Sequence, residues 1–221
     1  MAGTITALKV QKNARDRVNV YLDGEFAFGL ALIHALWLRV GQILTDQEIE
    51  SLKASDTIEK TRQRAVEFIA YRPRSEREVR QRLQRAGAPE DVIDEIVASL
   101  RAAALLDDAS FSRSWVDSRM RNGPRSRRML AWELRQKGID PGTIDAALEA
   151  VSDSEAAYEA ALRRWPRVVE AQPESQRRRK LSEYLARNGF GYDTIEEAID
   201  RVEREMAARR EADQEPPLES F

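Results

Sequence analysis

Arginine carries most of the available chemistry in this chain, and it comes in clusters. Residues 72–85 hold Arg72, Arg74, Arg77, Arg80, Arg82 and Arg85 against Glu76 and Glu78. Residues 119–137 hold Arg119, Arg121, Arg125, Arg127, Arg128, Arg135 and Lys137 against Glu133 alone. A third group, Arg177, Arg178, Arg179, Lys180 and Arg187, has Glu183 for company. A guanidinium forks phosphate and carboxylate oxygens bidentately, so such runs suit recognition of polyanions or of acidic protein surface. Bond-making chemistry has far less to work with. There is no Cys in 221 residues, hence no disulfide, thiolate nucleophile or Cys-ligated metal. One imidazole, His34, cannot build a multi-His metal site. No nucleophile, base and orienting group stand together as a catalytic set. No Gly-x-x-x-x-Gly-Lys-Ser/Thr loop is present to cradle nucleotide phosphates. Asp16, Asp23 and Glu25 read as hairpin-loop residues, not as an acid/base pair. The expectation is a protein without catalysis, cofactor or metal.

The total charge conceals the clusters. Lys plus Arg number 36 and Asp plus Glu 38, a net of -2. Segments 87–100, 138–151 and 191–200 invert the basic ones, with Glu90, Asp91, Asp94 and Glu95, then Asp140, Asp145 and Glu149, then Asp193, Glu196, Glu197 and Asp200, and no basic residue. Residues 61–137 alone carry 17 basic against 11 acidic side chains, a net of +6. Two readings stand side by side. The arginines form a binding edge, or they are solvated faces that pair with acidic helices of neighbouring units while their stems cover apolar surface. Acidic residues also favour helix N-termini for purely local reasons.

The elements that must position these residues repeat. Gly87, Gly138 and Gly189 are spaced by 51 and 51, as are Leu83, Leu134 and Leu185. Val79, Leu130 and Leu181 keep the spacing, and so do Ile93, Ile144 and Ile195, then Val97, Leu148 and Ile199, then Leu100, Val151 and Val202. Each unit carries Leu-x-x-x-Gly, a helix followed by a left-handed C′ residue. A further helix then starts near Pro89, Pro141 or Asp193, with one apolar stripe. Leading helices are expected at about 57–71, 109–121 and 154–170. Three-helix units of this size bury little alone and need to stack.

The amino-terminal part differs. Thr4–Val10 is β-rich, Val18, Val20 and Leu22 alternate with polar residues, and so do Phe26 and Phe28, which predicts strands with one buried face. Asp23-Gly24 suits a type I′ hairpin turn. A helix is expected over Leu30–Leu38, broken before Gly41, and Thr45 with Glu48 makes a capping box for another reaching about Lys53. The fold class is mainly α, with a small N-terminal antiparallel β segment. The divisions are 1–55 for the β segment and short helices, 56–106, 107–152 and 153–206 for three-helix repeats, and 207–221 for a disordered tail. No signal segment or membrane span is visible, so a cytoplasmic protein is expected.

Bland readings accompany the single residues. Trp115, Trp132, Trp165, Phe68, Phe111 and Tyr184 could stack on bases, but helical spacing makes them core first. In Arg72-Pro73-Arg74-Ser75, Pro73 ends one helix while Ser75 and Glu78 cap the next. Gly123-Pro124 is a similar break, and His34 reads as a partly buried structural residue.

The combination Tyr71-Arg72-Pro73-Arg74-Ser75-Glu76, Leu83-x-x-x-Gly87, Phe111-x-x-x-Trp115-x-x-x-Arg119, Gly123-Pro124-Arg125-Ser126 and Glu133-Leu134-Arg135-Gln136-Lys137-Gly138-Ile139-Asp140 resembles the bacterial RecX family, regulators of the RecA recombinase. The resemblance covers about residues 60–205, and the β segment is similar to the extension of longer members. The third unit departs most, with Pro173-Glu174-Ser175-Gln176 in place of the Pro-Arg-Ser run. The resemblance implies tandem three-helix repeats in an elongated, curved, monomeric molecule. It also implies binding to RecA and to the RecA–single-stranded DNA filament, with inhibition of recombinase, ATPase and coprotease activity in DNA repair, recombination and the SOS response. Contact candidates are Arg72, Arg74, Arg77, Arg121, Arg125, Arg127, Arg128 and Lys137. The alternative is a helical-repeat protein that binds DNA or RNA directly and acts without RecA.

Overall fold

The structure is a computed structural model, and it describes residues 2–12 and 14–214. The chain divides at Leu106/Asp107 into two compact units.

The first unit opens with a four-stranded antiparallel sheet, order β3-β2-β1-β4, from β1 (Gly3–Gln11), β2 (Ala14–Leu22), β3 (Glu25–Ala31) and the two-residue β4 (Ile43–Leu44). Asp23 and Gly24 both take positive φ, 49° and 92°, as a type I′ turn demands. Val18, Val20 and Phe28 line the buried face as the alternation predicts, and Leu30 joins them. Phe26 does not join them. The register slips between Val20 and Tyr21, so Phe28 pairs with Val20 but Phe26 pairs with Tyr21 on the other face. Phe26 there meets the Tyr21 ring edge-on at 6.0 Å. The bulge turns Phe26 outward.

The helix expected over 30–38 shrinks to α1 (Leu32–Ala35), because Leu30 and Ala31 pair with β2. Conversely, the helix expected to stop near Lys53 does not. α2 (Asp46–Tyr71) starts at the Thr45–Glu48 capping box and absorbs the helix expected at 57–71. The division drawn at 55/56 thus falls inside a helix. No Gly or Pro interrupts it, and buried Asp56 anchors its middle: its carboxylate accepts from the Ala31 N–H at 2.8 Å and pairs with Arg17 at 3.0 Å and Lys60 at 2.8 Å. The first half of α2 packs Ile49 and Leu52 on the sheet, and its second half packs Ala65 and Phe68 into the next core.

That core belongs to the first repeat, completed by α3 (Glu76–Arg85) and α4 (Glu90–Ala102). The second unit holds α5 (Asp108–Asn122), α6 (Arg127–Gln136) and α7 (Pro141–Leu148), then α8 (Asp153–Ala171), α9 (Glu174–Arg187) and α10 (Tyr192–Gln214). The 51-residue columns are the cores of these repeats: Val79 and Leu83, Leu130 and Leu134, and Leu181 and Leu185 are all fully buried. The column glycines take φ of 80°, 83° and 90°. Each closes the same Schellman turn, in which Ala88, Ile139 and Phe190 N–H donate to the carbonyls of Leu83, Leu134 and Leu185. At Gly189 a side chain would also collide, since a Cβ would lie 2.6 Å from Ser126 Oγ.

The tail was expected from 207, yet α10 remains helical through Gln214. Met206 packs on the third core and Arg209 pairs with Glu205 one turn back at 2.6 Å, which extends the helix past the repeat. Residues 215–221 of the expected tail lie outside the described residues.

Candidate functional site

The Pro-Arg-Ser runs sit at the N-termini of α3 and α6. Ser75 and Ser126, one column apart and buried, cap these helices by accepting the N–H of Glu78 and Met129. In the third repeat the column holds Arg177, and α9 begins earlier, at Glu174, with no side-chain cap. The cap fixes where the following arginines leave the helix, so sequence offsets translate into geometry in the first two repeats.

Most of the predicted contact arginines have internal partners. Arg72 donates to Pro73 O at 3.0 Å and pairs with Glu78 at 3.1 Å. Arg74 lies 3.8 Å over the Phe68 ring and donates to Phe68 O at 3.3 Å. Burial, and then the charge of Arg72, lower its pKa. Arg77 alone of this group is exposed and without a partner among the described residues.

In the second repeat Glu133 organises the site. Its carboxylate is 6% exposed. Oε2 accepts from Trp115 Nε1 at 2.7 Å and from Arg119 Nε at 2.8 Å, and Oε1 meets Arg125 Nη1. Arg119 lies 4.4 Å from the Trp115 ring centre and Lys137 lies 4.9 Å from it. Burial, followed by the charge of Arg119, pushes the pKa of Arg125 down. The structure therefore brings Arg125 and Lys137 together around one Trp and one carboxylate. Arg127 is elsewhere: its Nη1 donates to the carbonyls of Leu148, Glu149 and Val151 at 2.6, 3.3 and 3.1 Å, capping the end of α7. Arg128 is exposed and donates to Gly189 O at 3.1 Å. The side chain of Arg121 is exposed and unpartnered among the described residues, while its carbonyl accepts from Arg163.

In the first and third repeats the acidic segment pairs with the basic one. Arg80 on α3 pairs with Glu76 at 2.8 Å and with Glu90 and Asp94 of α4 at 3.3 and 2.6 Å. Arg178 on α9 pairs with Glu196, Asp200 and Glu203 of α10 at 2.7, 2.6 and 2.7 Å. The hydrogen bonds it donates to Glu196 and Asp200 raise its pKa. In these two repeats the charge segments thus neutralise each other in part, whereas in the second Arg119 and Arg125 meet Glu133 and Arg127 meets carbonyls.

Of the aromatics, Phe111 is buried, and Phe68, Trp115, Trp165 and Tyr184 pack against the cores. Trp132 does not: it is 54% exposed on α6. The contact candidates drawn from the sequence do not include Arg119, Trp132, Glu133 or Arg135. The signal for Glu133 was its isolation, one acid among seven basic residues on an otherwise apolar stripe with Leu130 and Leu134.

Four family models match in order along the chain: the regulatory protein RecX N-terminal domain over residues 3–45, and the first, second and third RecX three-helix domains over 62–100, 107–148 and 152–199. A regulatory protein RecX of Bacillus licheniformis is 31% identical over 215 residues, covering 94% of this chain and 81% of that protein. The chain belongs to the RecX family. The Bacillus subtilis RecX is 30% identical, over 91% of this chain and 78% of that protein. A crystal structure of regulatory protein RecX superposes with a TM-score of 0.70 at 28% identity, covering 90% of this chain and 99% of the other. The RecX crystal structure from Lactobacillus salivarius gives 0.57 at 25% identity, covering 67% and 98%. RecX relatives are named as regulatory proteins, and among the described residues no helix is long and apolar enough to cross a membrane.

Proposed function

We propose that this RecX-family protein acts as a monomer in the cytoplasm, binds RecA and RecA–single-stranded DNA filaments, and inhibits recombinase, ATPase and coprotease activity without itself catalysing a reaction. The observation that carries the reading is the ordered match of the N-terminal domain and all three three-helix domains along one chain. The arginine placement supports it and divides the work. Arg77, Arg121 and Arg128 are the contact residues, since their guanidinium groups reach solvent. Arg72, Arg74, Arg125, Arg127 and Lys137 hold the surrounding backbone and rings in place.

The test is co-sedimentation with RecA filaments assembled on single-stranded DNA. The protein should pellet with the filament, and reversing both free charges, Arg77→Glu with Arg121→Glu, should weaken that association at least tenfold while leaving the melting temperature unchanged. Failure of the wild-type protein to pellet would remove the proposal.

A further inference from the structure

α6 buries one face and leaves another exposed to solvent. Leu130, Glu133 and Leu134 point into the second repeat. On the opposite side Arg128, Trp132 and Arg135 follow at i, i+4 and i+7, and all three are exposed. Residues three and four apart on a helix are surface neighbours, so a cation stands on each side of the indole. From Arg128 to Arg135 the stripe runs about 10 Å along the helix axis.

Trp37, Tyr71 and Tyr192 are more exposed still, but Trp132 differs from the covered rings of the second and third repeats. Arg119 and Lys137 occupy the Trp115 ring, and Arg164 lies over Tyr184 at 5.4 Å. No cation lies over the Trp132 ring and no acceptor takes its Nε1–H among the described residues. More than half of its surface is in water although three arginines with long stems stand on the same helix. Neither packing nor internal charge pairing explains an indole at this place. Nor does the repeat. In the same columns the first repeat has Arg77, Gln81 and Gln84, and the third has Arg179, Glu183 and Ala186. Glu183 moreover pairs with Lys180 and Arg179 at 3.1 and 3.7 Å, leaving a neutralised surface there. In these columns, and among the described residues, the second repeat alone combines an open ring with a cation on each side and no carboxylate.

We propose that the Arg128–Trp132–Arg135 face of α6 binds single-stranded polynucleotide, with an unstacked base lying on the Trp132 indole and the flanking phosphates held by the two guanidinium groups. An open aromatic face stacks on any base, and adjacent arginines neutralise the backbone whatever the sequence, so the site reads strandedness and not sequence. A duplex keeps its bases stacked inside and offers this face its phosphates only. Arg128 is held in place by its hydrogen bond to Gly189 O, while Arg135 has no internal partner among the described residues, so one cation is preorganised and the other is recruited by the ligand. The inference concerns the free protein and stands apart from the RecA proposal, which it neither requires nor protects.

The test is fluorescence anisotropy of the full-length protein, without RecA, with an end-labelled oligothymidine of about 20 nucleotides and a duplex of equal length at low salt. Trp132→Ala should weaken oligothymidine binding about tenfold, within a range of roughly 5 to 100. The duplex should lose less than about threefold, because its bases cannot reach the ring. Trp132→Phe should restore most of the affinity, and it keeps the test valid if the alanine variant melts early. Arg135→Gln should weaken both ligands and lower the salt slope by about one. Unchanged oligothymidine binding by Trp132→Ala would overturn the proposal. So would an equal loss for oligomer and duplex, which would mean that the indole supports the fold or the phosphate contacts only. Trp132→Ala binding oligothymidine normally while failing to pellet with RecA filaments would also overturn it, marking the face as a protein contact.

Discussion

Arg127 and Arg178 occupy the same column of the second and third repeats, yet they serve different ends. α7 stops at Leu148, so its last carbonyls run out of helical donors: Leu148 O accepts a turn bond from Val151 N–H, and Arg127 donates to the carbonyls of Leu148, Glu149 and Val151. In the third repeat the corresponding stretch lies inside α10, whose carbonyls are spent within the helix. Arg178 therefore turns to the carboxylates of Glu196, Asp200 and Glu203. The first repeat offers a further variation. Its residue in this column is Glu76, which pairs with Arg101, while Arg178 pairs with Glu203 at the corresponding positions with the signs exchanged. The architecture needs a link between second and third helices at this place but is indifferent to which side carries the cation. What a repeat residue does is set by whether the facing helix ends, not by the residue type alone.

The sharpest way to break this picture is at Glu133, the carboxylate that makes the second repeat unlike the others. Glu133→Gln should cost about 3 kcal/mol in denaturant unfolding, because Arg119 and Arg125 lose their common partner in a half-buried place. A cost under about 1 kcal/mol would show that solvent already satisfies both cations. Asp56 comes next. Burial raises its pKa, but hydrogen bonds from Arg17, Lys60 and the Ala31 N–H outweigh burial and leave it below the ordinary carboxylate range. Its contribution is therefore complete above the unfolded pKa of about 3.9 and lost as pH falls through the lower folded value. Asp56→Asn should cost about 2 to 3 kcal/mol near neutral pH, and the difference from wild type should shrink below about pH 4.

The column comparison itself is sharpened by alanine at both positions. Arg127→Ala should cost about 1 to 2 kcal/mol, with little dependence on salt, since it strands carbonyls at a helix end. Arg178→Ala should cost under about 1 kcal/mol and approach zero in high salt, because its pairs are solvent-exposed. Equal costs would refute the distinction. The smallest effect lies at Ala104, the non-glycine counterpart of the helix-closing glycines. It holds φ of 54° where Leu105 N–H reaches back to Leu100 O. Ala104→Gly should stabilise by about 0.5 kcal/mol, the relieved left-handed strain exceeding the added freedom of the unfolded chain.

The sequence disclosed the repeat because hydrophobic columns and glycines report backbone geometry directly. Val79, Leu83 and Gly87 and their counterparts read as core and helix end, and they are. The Thr45–Glu48 and Ser75–Glu78 capping boxes were legible for the same reason, both partners lying within one turn. What failed depended on distant partners. Asp56 keeps α2 unbroken through Ala31 and Arg17, residues far away in the chain, and Phe26 leaves its face through a bulge that no period of two can announce. The candidate site was half legible. Runs of arginine were plain, but whether an arginine is free depends on what ends or lies opposite it. Arg125 and Arg127 looked like contact residues and are bound internally, while Trp132 looked like core and faces water.

We propose that the protein regulates RecA through arginines that reach solvent, Arg77 and Arg121 foremost. The most direct measurement is ATP turnover by RecA on single-stranded DNA, titrated with the wild-type protein, the Arg77→Glu/Arg121→Glu variant and Arg178→Ala. The account predicts that wild type and Arg178→Ala suppress turnover alike at substoichiometric amounts, while the double variant needs at least tenfold more protein for the same suppression. Turnover that stays unchanged at every ratio of wild-type protein to RecA would contradict it.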